Sequence, residues 1–386
     1  MIKKEVTKVL FISSLISIKS GVPAKVHNRL KHLNASGIDV KFLPIHPIAI
    51  YGNKFNDYLY DEYDENKFFH DVLTNKSLLY RIFYKIYRKY LYIKTIRCCK
   101  CDVIYFRYDH FIPILFSRKP YIIEHNTMEM EEFKTKNNKT IIFKEMILGR
   151  LLRKRAAGII GVTPEIIEYE KKKYNLDLPS FNYSNTFDAS DLKLKKEGLN
   201  GNKIIIFVGL IGVWHGLDRM IKAFQSDDLK DFKLVIVGDG EAKDDLIKLA
   251  KSSNLEKNVL FLGPMYGEEL EKIMYEADLA VGSLAIHRKG LTQASPLKVR
   301  HYLAMGIPTI NAFDDPDLPK SLPFILNLPA NDDPVDARIV REYYDKIMSY
   351  RNICEDIKKF ARENLTEEAI ASRFKSFLIE VVNRDI

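Results

Sequence analysis

The sequence predicts an α/β protein built from two doubly wound, Rossmann-like domains. Short β-branched apolar runs alternate with longer amphipathic runs over most of the 386 residues, and a polar stretch after Asn175 interrupts this alternation once. Buried parallel strands appear as short apolar runs, and the helices between them show the longer period. We therefore expect domains at 1–185 and 186–365, with a last helix at 366–386 that packs on either of them.

In the first half, five apolar runs predict strands: VLFISS, DVKFLP, DVIYF, PYIIEH and AGIIGVT. The segments between them have helical spacing in AKVHNRLKHLNASG, in residues 76–100 and in TIIFKEMILGRLLRKRAAG. Val26, Leu30 and Leu33 share one face of the first helix, and Gly37 suits its C-terminal cap. Residues 44–70 are irregular and are expected to form an exposed loop.

The second half repeats the pattern after the polar stretch, which we interpret as a linker. Its predicted strands are KIIIFVGL, FKLVIVGDG, NVLFLGP, ADLAVGSL and IPTINAF, with helical runs between them such as EAKDDLIKLAKSSN and GEELEKIMYEA. Two such series imply two parallel sheets, each covered by helices on both faces.

The formal net charge of +9 favours acidic partners, and the charge is concentrated. Residues 72–101 contain no acidic side chain, while basic side chains alternate there with apolar and aromatic ones at helical spacing. Such a helix, here residues 76–100, is typical of contact with an anionic membrane; the alternative is an ordinary helix with a basic solvated face. Nucleic acid is not expected as a partner, because no recognition module accompanies the basic stretch.

The four cysteines suit neither a disulfide framework nor paired zinc ligands, so reduced thiols and no metal site are expected. The N-terminal MIKKEVTKVLFISSLISI resembles a signal peptide, but no small-residue cleavage site follows and KVLFISS fits a first strand. We expect a cytoplasmic protein, with peripheral attachment to the inner face of the cell membrane as a further expectation.

Ligands of doubly wound sheets bind beyond the carboxyl ends of the strands, and unusual residues follow those ends here. In the first half these are Gly21, Glu124, His125 and Asn126. In the second half they are Gly209, Trp214, His215, Gly216, Gly238, Asp239, Gly263 and Met265. Both domains are therefore expected to present a ligand-binding edge.

The segment around Ser295 predicts an anion site. Ser295 is expected to cap a helix that has Pro296 at its first position and Leu297 and Lys298 in its first turn. Free N–H groups and the helix dipole attract phosphate at such an end, and Lys298 and Arg288 add charge. The alternative is a capped helix with a basic solvated face.

These residues resemble a known family. The order VGLIGVWHGLDRMIKAF, LVIVGDGE, VLFLGPMYGEELEKIMYEADLAVGSL and ASPLKVRHYLAMGIPTI is similar to the second domain of GT-B glycosyltransferases of family 4. The first half is similar to the matching acceptor domain. The resemblance implies two domains that face a central cleft, and retaining sugar transfer from a nucleotide donor, UDP- or GDP-linked, without cofactor or metal.

The resemblance also implies roles for individual residues. Catalytic residues would be Lys298, Arg288, His215 and His125, although His125 at a strand end has a structural alternative. The donor would bind at Gly209, Trp214, Gly216, Gly238, Asp239, Gly263, Met265, Gln293, Ser295, Pro296, Leu297 and His301. The acceptor would lie near Gly21, Glu124 and Asn126.

Several positions depart from the family pattern. Leu210 and His215 stand where relatives carry an arginine and a lysine that hold the diphosphate, and His215 matches a tryptophan-histidine-glycine subgroup. The resemblance implies that Trp214 lines the donor cleft. The alternative is that Trp214 is buried and only packs in the core. Gln293 and His301 replace two glutamates.

The resemblance implies a glycan or lipid-linked glycan as acceptor, in the synthesis of a bacterial capsule, lipopolysaccharide or similar polysaccharide. Two alternatives are a non-catalytic nucleotide-sugar-binding partner subunit and a nucleotide-sugar epimerase of the same architecture.

Overall fold

The computed structural model describes residues 5–14, 22–46, 49–64, 77–135, 138–188 and 199–384. The chain divides into two compact units, one formed by Met1–Tyr183 with Ile370–Ile386 and the other by Ser184–Ala369. The chain therefore passes into the second unit near the predicted linker and returns to the first through its last helix.

The first unit contains a six-stranded parallel sheet of order β2-β1-β3-β4-β5-β6. Its strands are β1 Lys8–Ser13, β2 Asp39–Pro44, β3 Val103–Arg107, β4 Tyr121–His125, β5 Gly158–Gly161 and β6 Ser180–Asn182. Its helices are α1 Val22–Ala35, α2 Leu78–Cys98, α3 Glu129–Thr135, α4 Lys139–Lys144, α5 Arg150–Lys154 and α6 Pro164–Tyr174. The five predicted strands are confirmed, and β6 was missed because it lies in the polar stretch interpreted as linker.

The second unit contains another six-stranded parallel sheet, of order β12-β11-β10-β7-β8-β9. Its strands are β7 Ile204–Val208, β8 Lys233–Val237, β9 Val259–Gly263, β10 Leu279–Val281, β11 Thr309–Asn311 and β12 Ile325–Asn327. Its helices are α7 Leu217–Ala223, α8 Lys243–Ser252, α9 Gly267–Glu276, α10 Leu297–Met305, α11 Ala337–Ser349 and α12 Ile353–Asn364, and α13 Glu367–Asn383 follows. The two doubly wound α/β domains are confirmed.

Both sheets are buried because helices cover them. In the first unit, α13 packs Phe374, Phe377 and Val381 into the same apolar cluster as Phe11 of β1 and Tyr105 of β3. The loop predicted at 44–70 contains a 3-10 helix at Ala49–Tyr58 in its described part. In the part of the chain that the structure covers, no helix combines the length and apolarity needed to cross a bilayer.

Candidate functional site

The loops that follow β7, β8 and β9 lie side by side in the second unit, as the strand-end rule predicts. The Gly209 N–H donates to the Val237 carbonyl over 2.9 Å, and the Gly238 N–H donates to the Gly263 carbonyl over 2.8 Å. A Cβ atom on Gly238, whose φ is +140°, would overlap the Gly209 carbonyl oxygen. Glycine is therefore needed at position 238, because the backbone of Gly209 lies against it. The neighbouring Asp239 carboxylate is exposed and lies 3.3 Å from Lys243 Nζ.

Lys298 carries the most unusual side chain of this site. Its Nζ lies 3.7 Å from the centre of the Phe207 ring, and a Cβ on Gly209 would lie 3.5 Å from it. Nζ is buried, and no hydrogen-bond partner for it exists among the described residues. Burial holds the pKa of Lys298 well below its ordinary value. An unpaired buried cation is costly, and an anion bound at this position would offset that cost.

His215, on the 3-10 turn Val213–His215, lies against the same Phe207 ring as Lys298. Its Nδ1 accepts the Gly212 N–H over 3.1 Å, and its ring lies 5.0 Å from that of Phe207. Burial, followed by the charges of Lys298 and Lys289, holds the pKa of His215 well below its ordinary value. A neutral ring that accepts at Nδ1 carries its proton on Nε2, so His215 is a donor without charge.

The two residues that flank His215, Trp214 and Gly216, have different environments. Gly216 is left-handed with φ +63°, and a Cβ there would come within 2.9 Å of the Ala285 backbone nitrogen. Trp214 is half-buried rather than a core residue, and Lys289 Nζ lies 4.1 Å from its ring centre. The tryptophan therefore presents part of its surface beside His215, with the Lys289 ammonium above its ring.

The prediction that Ser295 caps a helix with Pro296 as its first residue is wrong. Helix α10 begins at Leu297, Pro296 occupies the cap position, and no side chain caps the helix. The Ser295 hydroxyl instead accepts the Asn185 N–H over 2.9 Å and an Arg300 N–H over 2.8 Å. The Ser295 hydroxyl is therefore hydrogen-bonded to Arg300, in the first turns of α10, and does not cap the helix.

Arg300 joins several parts of this segment through hydrogen bonds, and it was not among the predicted site residues. Its guanidinium is buried and donates to both oxygens of Asp315, over 2.7 and 2.8 Å, and to Asp317 over 2.9 Å. It also donates to the Asn185 carbonyl over 2.8 Å. An arginine at an apolar-spaced position of α10 was the available signal, because a buried arginine needs counter-charges.

Arg288 has a different environment from the one predicted. It donates to both oxygens of Asp218, each over 2.9 Å, to Asp332 over 2.8 Å and to the Val213 carbonyl over 2.7 Å. Two carboxylates thus already balance its charge. The arrangement ties the 3-10 helix Ile286–Lys289 to the turn that carries Trp214, so Arg288 shapes the site rather than offering a free cation to it.

The remaining predicted donor residues surround the start of α10 or follow β9. Gln293 is half-buried and pairs through its backbone with Asp314 in an isolated bridge. His301 is half-buried on α10, next to Arg300, and Met265 is half-buried after β9.

In the first unit, Glu124 and Asn126 are held by one lysine. Lys25 Nζ donates to Glu124 over 2.7 Å and to Asn126 over 2.8 Å, and Arg29 lies 3.2 Å from the Glu124 carboxylate. Burial opposes ionisation of Glu124, but the surrounding cations outweigh it and hold its pKa below the ordinary value. Burial lowers the pKa of Lys25 to about 8. Gly21 lies outside the described residues.

His125 lies at the end of β4, fully buried, with Nδ1 2.9 Å from Glu129. Burial lowers the pKa of His125 to about 4 and raises that of Glu129 to about 8. The ring is therefore neutral near pH 7. Its buried Nε2 contacts no hydrogen-bonding atom of the described chain.

A metal is disfavoured beside His125. Within the described residues, His125, Glu129 and Glu170 are the one group spaced to offer three ligand atoms to an ion. Arg153 already occupies this position: it donates to Glu170, lies 2.9 Å from Glu145 and reaches Glu129 over 3.4 Å. The guanidinium supplies the positive charge that a metal would bring.

Comparison with known proteins finds a family similarity in the second unit. Residues 190–312 match the family model described as Glycosyl transferases group 1. This match covers less than half of the chain and lies within the second unit. Gly209, His215 and Lys298 all lie within the matched residues.

Other proteins resemble this chain in sequence or in fold. A segment of 80 residues is 34% identical to an uncharacterized glycosyltransferase of Methanocaldococcus jannaschii, and it covers 20% of each chain. A glycosyltransferase from Rickettsia africae is 13% identical, with a TM-score of 0.68 over 99% of this chain and 100% of that one. Anabaena HepE, solved with UDP-glucose, is 14% identical, with a TM-score of 0.67 over 97% and 99%. These likenesses confirm the GT-B fold.

Proposed function

We propose that the protein is a retaining glycosyltransferase that moves a hexosyl group from a nucleotide sugar to a glycan or lipid-linked glycan. The observation that carries this proposal is the buried, unpaired ammonium of Lys298 at the uncapped start of α10. A cation, a helix N-terminus and a neutral histidine donor together complement the two phosphates of such a donor. The order of the strand-end motifs in the second half of the sequence, with Trp214, His215 and Gly216 among them, supports placement in family 4 and its tryptophan-histidine-glycine subgroup.

In this proposal the leaving diphosphate is stabilised without a metal. The bond from the sugar C1 to the diphosphate oxygen breaks, and C1 bonds to the acceptor oxygen on the same face. The acceptor's proton passes to the departing phosphate oxygen. Lys298, the first-turn N–H groups of α10 and the His215 Nε2–H donate to the charge that develops. Trp214 lies against the donor, and Arg288 positions its turn.

The donor is a uridine or guanosine diphosphate sugar. The complex of Anabaena HepE with UDP-glucose supports the uridine form. A thermal-shift panel of UDP- and GDP-sugars, followed by transfer to a lipid-linked glycan, tests the proposal. We expect one base to raise the melting temperature and one sugar to be transferred with retention. Stabilisation by no nucleotide would contradict it.

The pH dependence of donor affinity should report on Lys298. Burial lowers the pKa of Lys298 in the free protein, and a bound diphosphate would raise it again. Above the lowered pKa, binding must take up a proton, so affinity for UDP-glucose should fall as pH rises, by up to about tenfold per pH unit. Trp214 fluorescence measures this between pH 6 and 9.

The matched control for the pH experiment is Lys298→Arg, whose guanidinium stays charged throughout the range. We expect this variant to bind with little pH dependence. A wild-type affinity as constant as that of the arginine variant would remove Lys298 from the diphosphate site.

A non-catalytic, donor-binding role has one observation in its favour. Gln293 and His301 stand where the resemblance implies two glutamates, so the site lacks two carboxylates. For an active enzyme we expect Gln293→Glu to raise turnover about tenfold, because a charge returns near the transferred sugar. Thr292→Glu, at the exposed neighbouring position, should not do so. Donor binding without transfer by either the wild type or Gln293→Glu would favour the non-catalytic role.

We further propose that the acceptor is held at the inner face of the bacterial cell membrane, in synthesis of capsule, lipopolysaccharide or a similar polysaccharide. Helix α2 supports this. Its large apolar side chains Leu79, Phe83, Ile86 and Tyr90 are all more than half exposed. Every charged residue of α2 is basic, which suits anionic lipid.

A further inference from the structure

A second apolar and basic segment lies in the first unit, at residues 139–155. It consists of α4, a π turn at Glu145–Gly149 and α5. Four large apolar side chains are exposed at helical spacing: Phe143 by 64%, Met146 by 59%, Ile147 by 54% and Leu151 by 44%. Soluble proteins rarely leave so many neighbouring large apolar groups in water without a partner.

The exposed charges of this segment are all of one sign. They belong to Lys139, Lys144, Arg150, Lys154 and Arg155. The single acidic residue, Glu145, is buried and lies 2.9 Å from Arg153. The π turn brings the Glu145 carboxylate over Gly149, where a Cβ would come within 2.7 Å of it. The fold thus removes the one negative charge from an otherwise basic surface.

This segment and α2 share a neighbouring element. The 3-10 helix Ile112–Phe116 packs against both α2 and α5. Phe116 of that helix is itself exposed by 47%. Helices α2 and α5 therefore flank a common element, which also presents an aromatic ring.

We propose that residues 139–155 form a second membrane-contacting element, which binds anionic lipid together with α2. Apolar side chains enter the boundary between headgroups and acyl chains, while lysines and arginines meet the headgroup charge. A second copy of this chain fits less well, because two such surfaces would bring like charges together. This inference rests on the membrane contact proposed for α2 and adds to it an element that the basic stretch at 76–100 does not include.

The test is co-flotation of the full chain with vesicles of phosphatidylcholine and phosphatidylglycerol, compared with phosphatidylcholine alone. We expect binding to the anionic vesicles only. Phe143→Ser combined with Ile147→Ser should weaken it about tenfold, because two apolar side chains no longer insert. Lys144→Gln, Arg150→Gln and Lys154→Gln together should weaken it and reduce its dependence on salt.

The matched control is Ile339→Ser combined with Met348→Ser, which removes two exposed apolar side chains from α11 of the second unit. This control should bind vesicles like the wild type. All variants should retain nucleotide-induced thermal stabilisation, which separates a failure at the membrane from a failure of the donor site.

Two results would overturn the inference. If Phe83→Ser with Ile86→Ser abolishes vesicle binding while the Phe143 and Ile147 variant binds normally, α2 acts alone. If the wild type does not bind vesicles but forms a dimer that the Phe143 and Ile147 substitutions dissociate, the surface serves self-association instead.

Discussion

Lys298→Met should make the ligand-free protein more stable while it greatly weakens donor binding. The Lys298 ammonium is buried, unpaired among the described residues and held against the Phe207 ring. Methionine fills a similar volume without a charge to desolvate, so the free energy of unfolding of the second unit should rise by about 2 kcal/mol. Affinity for UDP-glucose should fall about 100-fold, because a charge-assisted bond to phosphate is lost.

Trp214 allows both effects to be measured in the same unit. It is the single tryptophan of the chain, so its fluorescence in urea follows unfolding of the second unit, and its quenching follows nucleotide binding. Lys251→Met, at an exposed position of α8, is the control and should change neither quantity. A Lys298→Met protein that is destabilised, or that binds UDP-glucose normally, would contradict the assignment of this lysine.

Arg153→Met should strongly destabilise the first unit. Arg153 is buried and contacts Glu129, Glu145 and Glu170. Its guanidinium also lies 4.3 Å from the Tyr108 ring centre. Without this cation, buried carboxylates lose their counter-charge, which costs about 3–5 kcal/mol.

Hydrogen exchange at the amides of β4 and β5 measures this loss, since both are interior strands of the first unit's sheet. Arg155→Met removes an exposed arginine two residues away and should leave the exchange rates close to those of the wild type. Equal protection in the two variants would mean that the three glutamates do not depend on Arg153. Trp214 fluorescence should remain unchanged in both, because it reports on the other unit.

The architecture could be predicted from the sequence because its signals are local. Each buried parallel strand is a short apolar run, and ten of the twelve strands among the described residues were recognised in this way. The two that were missed, β6 and β12, are only partly buried, whereas the equally short β10 and β11 are fully buried and lie within longer apolar runs. The glycines of the strand-end loops were also visible, because close backbone contact leaves no alternative residue.

The charge pairing could not be predicted, since it joins residues distant in sequence. Whether a lysine or arginine is free depends on carboxylates that only the fold brings near it. Arg288 is balanced by Asp218 and Asp332, whereas Lys298 meets an aromatic ring and no carboxylate among the described residues.

Local periodicity and composition were enough to predict the two α/β domains, the strand-end location of the candidate donor site and the basic character of α2. Three features depend on the folded chain: Arg300 donates to the Ser295 hydroxyl, Lys298 Nζ has no hydrogen-bond partner among the described residues, and Glu145 is buried beneath the basic surface at 139–155. The physical reason is that desolvation and pairing energies depend on which groups are packed together, and burial sets both.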